Sequence, residues 1–356
     1  MKKFKKLIAL SLTAMMAISA TSVTSFAADP ESSSDASDNP FGITTVVNEN
    51  HQIIRTFERN ANNEIAAVYA ANSDERNDYA ETKALLSELG MEEYAIDNLS
   101  DEDLEKYAVS PKIVTAVSYS EIDNKGNRKY VDENVAIADA AIIQKAQETK
   151  IQNEINGIET YEQVTVENSV MRLFYATTYH WNESYTFSTD ARWLTMPIFR
   201  GKDVIGSSAQ NCTVTPNTGS GYIEYDRTTM GLGITTTTKK VSSTLSSSNF
   251  QNVINGSFHG SGAIVSIPAD AINSGGAASM YNTNYKAHYQ YDGHVNNPSQ
   301  PQWFNTTGSY THTYVTISGS PSISINVSGK LAGSLGIKGN ITQEVVCQGD
   351  LELHYQ

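Results

Sequence analysis

Residues 315–355, VTISGSPSISINVSGKLAGSLGIKGNITQEVVCQGDLELHY, alternate between apolar and polar side chains. Of the 21 odd-numbered positions, 14 are apolar, whereas the even-numbered positions are nearly all serine, threonine, asparagine, lysine or other polar residues. A period of two places the apolar side chains on one face of a β-strand and the polar ones on the other. These residues therefore predict strands with one buried face.

Glycine adds a second periodicity to the same stretch, because it recurs every ten residues at Gly319, Gly329, Gly339 and Gly349. Turns centred on glycine between strands of about seven residues are typical of an antiparallel meander. The apolar residues are odd-numbered in every predicted strand. Three-residue turns keep odd-numbered residues on the same face from one strand to the next, whereas two-residue turns do not. A long uninterrupted ribbon preserves that numbering too and is the alternative to the meander.

Residues 170–356, which include this stretch, form a neutral segment that contains all three tryptophans and balances ten acidic against ten basic residues. Serine, threonine and tyrosine are frequent, and runs such as Met171–His180 and Tyr281–Val295 are typical of strands. We predict a neutral, Tyr/Ser/Thr-rich β domain over 170–356, built as an antiparallel β-sandwich or a meander-type sheet.

The preceding residues differ in charge, since Asp29–Ser169 carries 29 acidic and 11 basic residues. This change predicts a domain boundary near 160–170. Ser100 followed by three acids is an N-cap signal, the residues from about Glu133 to Asn156 are typical of a helix, and Lys112–Ile122 is typical of a strand. The sequence thus predicts an acidic α+β domain over 41–165.

The first residues have the pattern of a targeting segment. Four lysines precede an apolar run, and small residues follow up to Ala27. This pattern predicts a signal peptide over 1–27 that is cleaved near Ala27 and resembles bacterial export signals, so the protein is expected to be secreted and extracellular. Residues 28–40 are acidic and rich in serine, which predicts a flexible leader.

Charge and motifs argue against several classes of function. The net charge is -14, and without the four lysines of the targeting segment it is -18, which disfavours binding to nucleic acid. The sequence contains no nucleophile elbow, zinc-protease helix, P-loop or dinucleotide fingerprint, so we predict no catalytic residues and no cofactor. His288, His294 and His312 are interpreted as strand histidines rather than metal ligands, and no metal is predicted.

The two cysteines, Cys212 and Cys347, leave two interpretations open. A disulfide between them is compatible with an exported protein. Two buried free thiols are the alternative, because Cys347 occupies the apolar face of the final stretch.

Aromatic side chains among short polar groups predict a binding surface. Trp303 and Phe304 fall in a Pro-rich, turn-forming stretch, and we predict that they bind ligand together with Trp181, Tyr289 and Tyr291. The function predicted first is a secreted, non-enzymatic binding or surface-interaction protein whose partner is an extracellular glycan or protein. Closing one end of the core is the alternative role for Trp303.

Two other functions stay open at this point. A pore-forming or membrane-inserting β-protein is suggested by the alternation of Ser/Thr with aliphatic residues. Strand length argues against it, since seven residues span about 23 Å, whereas a tilted membrane strand needs about nine to eleven residues. An extracellular hydrolase with an accessory N-terminal region is the third function. The sequence fixes no oligomeric state.

Overall fold

The structure is a computed structural model. It describes residues 39–59, 79–155, 168–180, 183–197, 199–230, 236–272, 279–296, 302–313, 322–328, 332–338 and 344–355. Four helices occur in these ranges, α1 (Ala80–Glu88), α2 (Glu93–Asp97), α3 (Asp101–Val109) and α4 (Glu133–Ile155), with a short 3-10 helix at Ser247–Asn249. Antiparallel strands form most of the rest, so the β-rich fold class is confirmed.

The strands are β1 (Thr44–Val47), β2 (Ile53–Glu58), β3 (Lys112–Ile122), β4 (Arg128–Val131), β5 (Ser169–His180), β6 (Ser184–Trp193), β7 (Lys202–Gln210), β8 (Cys212–Val214), β9 (Ser220–Met230), β10 (Thr236–Thr244), β11 (Phe250–Asn255), β12 (Phe258–Ser266), β13 (Ser279–Val295), β14 (Gln302–Thr313), β15 (Ser322–Ser328), β16 (Ala332–Lys338) and β17 (Glu344–Tyr355). A ten-stranded sheet has the order β1-β2-β3-β5-β6-β13-β9-β10, with β4 beside β3 and β8 beside β13. A five-stranded sheet has the order β11-β12-β7-β14-β17.

The two large sheets pack face to face around the main core. Tyr175 of β5, Trp193 of β6 and Tyr285 of β13 meet Ile205 of β7 and Tyr310 of β14 in one buried cluster. Burying rings of this size removes a large apolar area from water and accounts for much of the stability of such a core. The arrangement is β-rich and sandwich-like, and one of its sheets includes β1, β2 and β3 from outside the predicted β domain.

Helices cover the other face of the ten-stranded sheet. Leu86 and Leu89, at the end of α1, and Tyr107 of α3 pack with Val117 of β3 and Phe174 of β5 in a second cluster. Neighbouring residues of β5 thus serve both clusters, so this strand is apolar on both faces. The same cover explains why the polar side chains of Lys286 and His288 on β13 are buried.

One sheet crosses the position of the predicted domain boundary. β3 pairs with β5 from Lys112↔Tyr179 to Ile122↔Ser169, and the residues from Phe41 onward form one compact unit. An independent α+β unit is therefore not confirmed, because its strands belong to the same sheet as the neutral segment. The division into domains 41–165 and 170–356 stays a prediction about folding units. The signal peptide over 1–27 lies outside the described residues, as does nearly all of the leader over 28–40.

The C-terminal strands do not form a meander. β15 and β16 pair with each other from Ser322↔Lys338 to Ser328↔Ala332, which leaves a three-residue connection as the constant odd face predicted. β17, however, pairs with β14 in the five-stranded sheet instead of continuing from β16. The reason is that β17 gains a full-length partner in β14, with which it pairs over twelve residues. The β15–β16 hairpin is left as a separate two-stranded sheet.

Candidate functional site

The β15–β16 hairpin lies on the outer face of the five-stranded sheet. Its odd-numbered side chains Ile323, Ile325 and Leu335 are 3%, 5% and 0% exposed. They pack on Val204 and Phe258 in a small cluster distinct from the main core. We call the covered part of the sheet the seat, formed by Val204, Gly206, Phe258, Gly262, Ser309 and Thr311.

Glycine brings the hairpin close to the seat. A Cβ atom placed on Gly206 or on Gly262 would lie 2.7 Å from Cδ1 of Leu335, which is closer than side chains tolerate. Gly206 and Gly262 pair across β7 and β12, so they make one smooth recess beneath Leu335. At this point Leu335 is therefore held directly against the main chain of the sheet.

Four side chains of the sheet bind the main chain of the hairpin along both of its edges. On the β15 edge, Ile323 N donates to Gln251 Oε1 at 2.8 Å and Asn255 Nδ2 donates to the carbonyl of Ile325 at 2.9 Å. On the β16 edge, Leu335 N donates to Ser309 Oγ at 3.0 Å, and Thr311 Oγ1 donates to the Leu335 carbonyl. We call Gln251, Asn255, Ser309 and Thr311 the edge clamp.

The hairpin is connected to two strands that pair with each other. Thr313 at the end of β14 is the register partner of Glu344 at the start of β17. The β15–β16 hairpin thus lies in sequence between two residues that are themselves partners in the five-stranded sheet. Because of this closure, neither large sheet needs the hairpin for its own strand pairing.

A buried carboxylate anchors the point where the chain leaves β14. Asp203 Oδ2 accepts a hydrogen bond of 2.6 Å from Tyr310 Oη and lies 2.9 Å from His312 Nδ1, and Thr313 N donates to Asp203 Oδ1 at 3.2 Å. Burial, and after it the Asp203 carboxylate, raises the pKa of Tyr310 well above its usual value of 10. Trp193 Nε1 also donates to Tyr310 Oη at 3.3 Å, which ties this end of β14 to the main core.

A second buried acid–histidine pair lies on the helix side of the ten-stranded sheet. His288 Nδ1 is 2.6 Å from Asp190 Oδ1, and the ring of Tyr222 stacks on His288 with centroids 4.9 Å apart. Such a pair can orient a general base. The two side chains are only 3% and 1% exposed, and the pair joins β6 to β13.

The structure buries two of the predicted ligand-binding residues. Tyr289 and Tyr291 are each 1% exposed; the hydroxyl of Tyr289 lies 2.6 Å from Ser261 Oγ, and that of Tyr291 donates to the carbonyl of Ser207. Burial raises the pKa of Tyr289 to about 12. These rings fill the space between the sheets and offer a ligand no face for stacking.

The other predicted ligand residues are described only in part. Trp303 and Phe304 belong to β14, which corrects the expectation of a turn-forming stretch there, and their side chains lie outside the described residues. Trp181 lies outside the described residues altogether. A glycan- or protein-binding surface at these three residues stays a prediction.

Cysteines and metals add little to the site. Cys212 is a buried free thiol in the described structure, and burial raises its pKa to about 12. The side chain of Cys347 lies outside the described residues, so a bridge between the two stays a prediction. Within the described ranges no three His, Cys, Asp or Glu side chains converge on a place that could hold a metal ion.

No pattern in the sequence identifies the edge clamp or the anchor at Asp203. Clamp residues come from β11 and β14, and they act on strands that follow them by as many as 72 positions. Ser, Thr, Asn and Gln are also common throughout this segment, so nothing distinguishes these four along the chain. Tertiary placement is the only observation that identifies them.

No family model matches the chain, and no curated protein does. Among solved structures, the group B streptococcus pilus 2b backbone protein is similar with a TM-score of 0.18 and 9% identity over 48% of this chain and 78% of that one. Clostridium perfringens delta-toxin is similar with a TM-score of 0.18 and 5% identity over 68% of this chain and 91% of that one. At these scores the similarities carry no argument about function.

None of the helices in the described ranges combines the length and the hydropathy that a membrane span requires.

Proposed function

We propose that the protein is a secreted, membrane-inserting β-protein whose β15–β16 hairpin leaves the seat and enters a lipid bilayer. The observation that carries this proposal is the closure of the chain at Thr313 and Glu344. A segment that departs and returns at one register pair can be released while the β14–β17 ladder stays intact. The hairpin thus has the connectivity of a movable part.

The side-chain pattern of the released segment suits an interface between lipid and water. Between residues 314 and 343 only Lys330 and Lys338 are charged. The odd face carries Val, Ile and Leu, and the even face carries mainly Ser, Thr and Asn. Strands that separate lipid from water alternate in this way, with one apolar and one polar face.

Strand length supports the proposal once the whole segment is considered. The stored strands of seven residues are too short for a bilayer, as the sequence indicated. The alternation, however, begins at Val315 and extends to Ile341. Fully extended, the segment supplies 14 residues from Val315 to Ser328 and ten from Ala332 to Ile341, compared with a requirement of about nine to eleven.

Storage on the seat explains how such a segment stays soluble. The apolar side chains that would face lipid are those that the seat covers, as the burial of Ile323, Ile325 and Leu335 indicates. A contiguous apolar face left in water is a liability for a secreted protein. The seat therefore covers the apolar face of the hairpin, and the hairpin must leave the seat before it inserts into the bilayer.

The proposal is tested by locking the hairpin onto its seat. Ser309→Cys with Leu335→Cys, in a chain where Cys212 and Cys347 are replaced by alanine, joins two positions that already meet, because Ser309 Oγ lies 3.0 Å from Leu335 N. We expect the oxidised protein to release no dye from phosphatidylcholine vesicles and the reduced protein to release it. Neutral lipid is chosen because an acidic chain is repelled by anionic membranes.

The reduced form of the same variant is the matched control, since it differs only in the bond. A second lock, Asn255→Cys with Ile325→Cys, uses the other edge of the hairpin and guards against misfolding of the first variant. Equal dye release by oxidised and reduced protein would contradict the proposal. So would the absence of any release by the reduced protein and by wild type.

A further inference from the structure

The edges of the hairpin are capped by side chains. In an antiparallel pair, alternate residues direct their N–H and C=O groups away from the partner strand. In β15 and β16 these outward groups include Ile323 N, the Ile325 carbonyl and both main-chain groups of Leu335, and each is bonded to a side chain of the edge clamp. The clamp therefore occupies the groups through which another strand would pair.

An open strand edge is a template for pairing with another chain. In water such groups find hydrogen bonds with solvent, so an uncapped edge is tolerated. In the hydrocarbon of a bilayer there is no water, and every unpaired main-chain group costs several kcal/mol. A hairpin that leaves the clamp and enters lipid must consequently find protein partners for both of its edges.

We propose that the edge clamp masks the pairing groups of the hairpin, and that the partner which replaces the clamp is the hairpin of a second copy of this chain. This inference rests on the proposed function. The β15 edge of one hairpin and the β16 edge of the next are both free on release, and pairing them repeats the same apolar and polar faces from copy to copy. Such contacts are head-to-tail and close into a ring when the rotation permits.

Two clamp residues allow a clean test. Thr311→Val removes the hydroxyl that donates to the Leu335 carbonyl, and Asn255→Ala removes the amide that donates to the Ile325 carbonyl. Thr307→Val is the matched control, because Thr307 lies four residues before Thr311 and therefore on the same face of β14. Its Oγ1 is buried without a hydrogen-bond partner in the described structure.

The experiment follows oligomer formation by chemical crosslinking on phosphatidylcholine vesicles and, separately, in dodecyl maltoside. One lost bond per edge is expected to raise the rate of oligomer formation roughly tenfold in the Asn255→Ala/Thr311→Val variant. Thr307→Val should assemble at the wild-type rate. Thr311→Ser, which keeps the hydroxyl, should restore the wild-type rate when it replaces Thr311→Val.

The two proposals fail in different ways. Lock-dependent dye release together with an unchanged assembly rate in the clamp variant overturns the clamp and leaves the proposed function in place. Dye release by protein that remains uncrosslinked overturns the second copy as the partner. If no protein releases dye, assembly in dodecyl maltoside decides: a clamp variant that stays monomeric there overturns this inference as well.

Discussion

The main core and the seat are both built from apolar residues on strands, yet they hold their strands by different means. Between the large sheets, Trp193, Tyr285 and Tyr310 are completely buried, and Trp193 meets Tyr310 edge to face at 6.1 Å. On the seat, Leu335 lies over two glycines, Ile323 and Ile325 complete a small aliphatic cluster, and four side-chain hydrogen bonds hold the edges. Large buried rings hold the strands of the main core together permanently. The hairpin has few apolar contacts, and its four side-chain hydrogen bonds can be replaced by others, which suits a segment that is released.

The largest effect is expected in the main core. Trp193→Ala leaves a cavity among Tyr310 and His312, and such truncations cost about 3–5 kcal/mol. Thermal unfolding should shift down by roughly 10 °C for the whole described fold. Trp193→Phe, which keeps a ring but loses the indole N–H, should lose less than half as much. If Trp193→Ala instead increased amide exchange in the β15–β16 hairpin while the sandwich kept its melting temperature, the two regions would not be separate.

An intermediate effect is expected from a charge beneath the hairpin. Ile325→Asp buries an unpaired carboxylate on the seat, which favours release of the hairpin. Because the seat cluster is distinct from the main core, we expect the sandwich to lose no more than about 2 kcal/mol, while amide exchange over 322–338 rises at least tenfold. Dye release should be abolished, since the charge would face lipid.

Ser324→Asp is the matched control on the even face and should change neither stability nor amide exchange. If Ile325→Asp unfolds the whole protein, the hairpin belongs to the main core after all.

The smallest effect is expected from acid, and it should fall on one region alone. Burial lowers the pKa of His180 below its usual value of 6.5, an effect that Asp292 opposes. Well above pH 6.5 His180 is neutral in both the folded and the unfolded state, so it does not make the free energy of unfolding depend on pH. Below pH 6.5 the unfolded chain gains a proton that the folded one resists, so stability falls, by at most about 1.4 kcal/mol per pH unit.

Urea unfolding at pH 7 and pH 5.5 measures this loss, and His180→Gln should reduce it. The seat is lined by residues that do not titrate, so the exchange of the Leu335 amide relative to that of the sandwich should not rise with acid. An increase confined to the hairpin would reverse the assignment of the acid-sensitive region.

Local features of the fold followed from the sequence. The hairpin has the strand length and the three-residue connection that its glycines and its odd face predicted. The capping box at Ser100 and Asp103 formed where serine preceded three acids, and α4 covers the predicted helix. Each depends on residues a few positions apart, which is why pattern alone was sufficient.

Long-range features did not follow. Twelve register pairs with β14 decide the position of β17, and the alternation of β17 cannot reveal which strand it will join. Tyr289 and Tyr291 were expected to bind ligand because aromatic residues are common at recognition surfaces, yet a second sheet covers them. Which face of a strand is covered depends on sheets that pack from elsewhere in the chain.

The order of residues along the chain has a consequence for biosynthesis. A β-hairpin with a short connection closes within about 1–10 μs, far faster than pairings between distant strands. Val204 and Gly262 precede β15 by more than 50 positions, so most of the seat has left the ribosome before the hairpin exists. Chains grow from the N-terminus at about 5–20 residues per second, which gives the older strands seconds of advantage. The apolar hairpin is thus made after most of the surface that shields it.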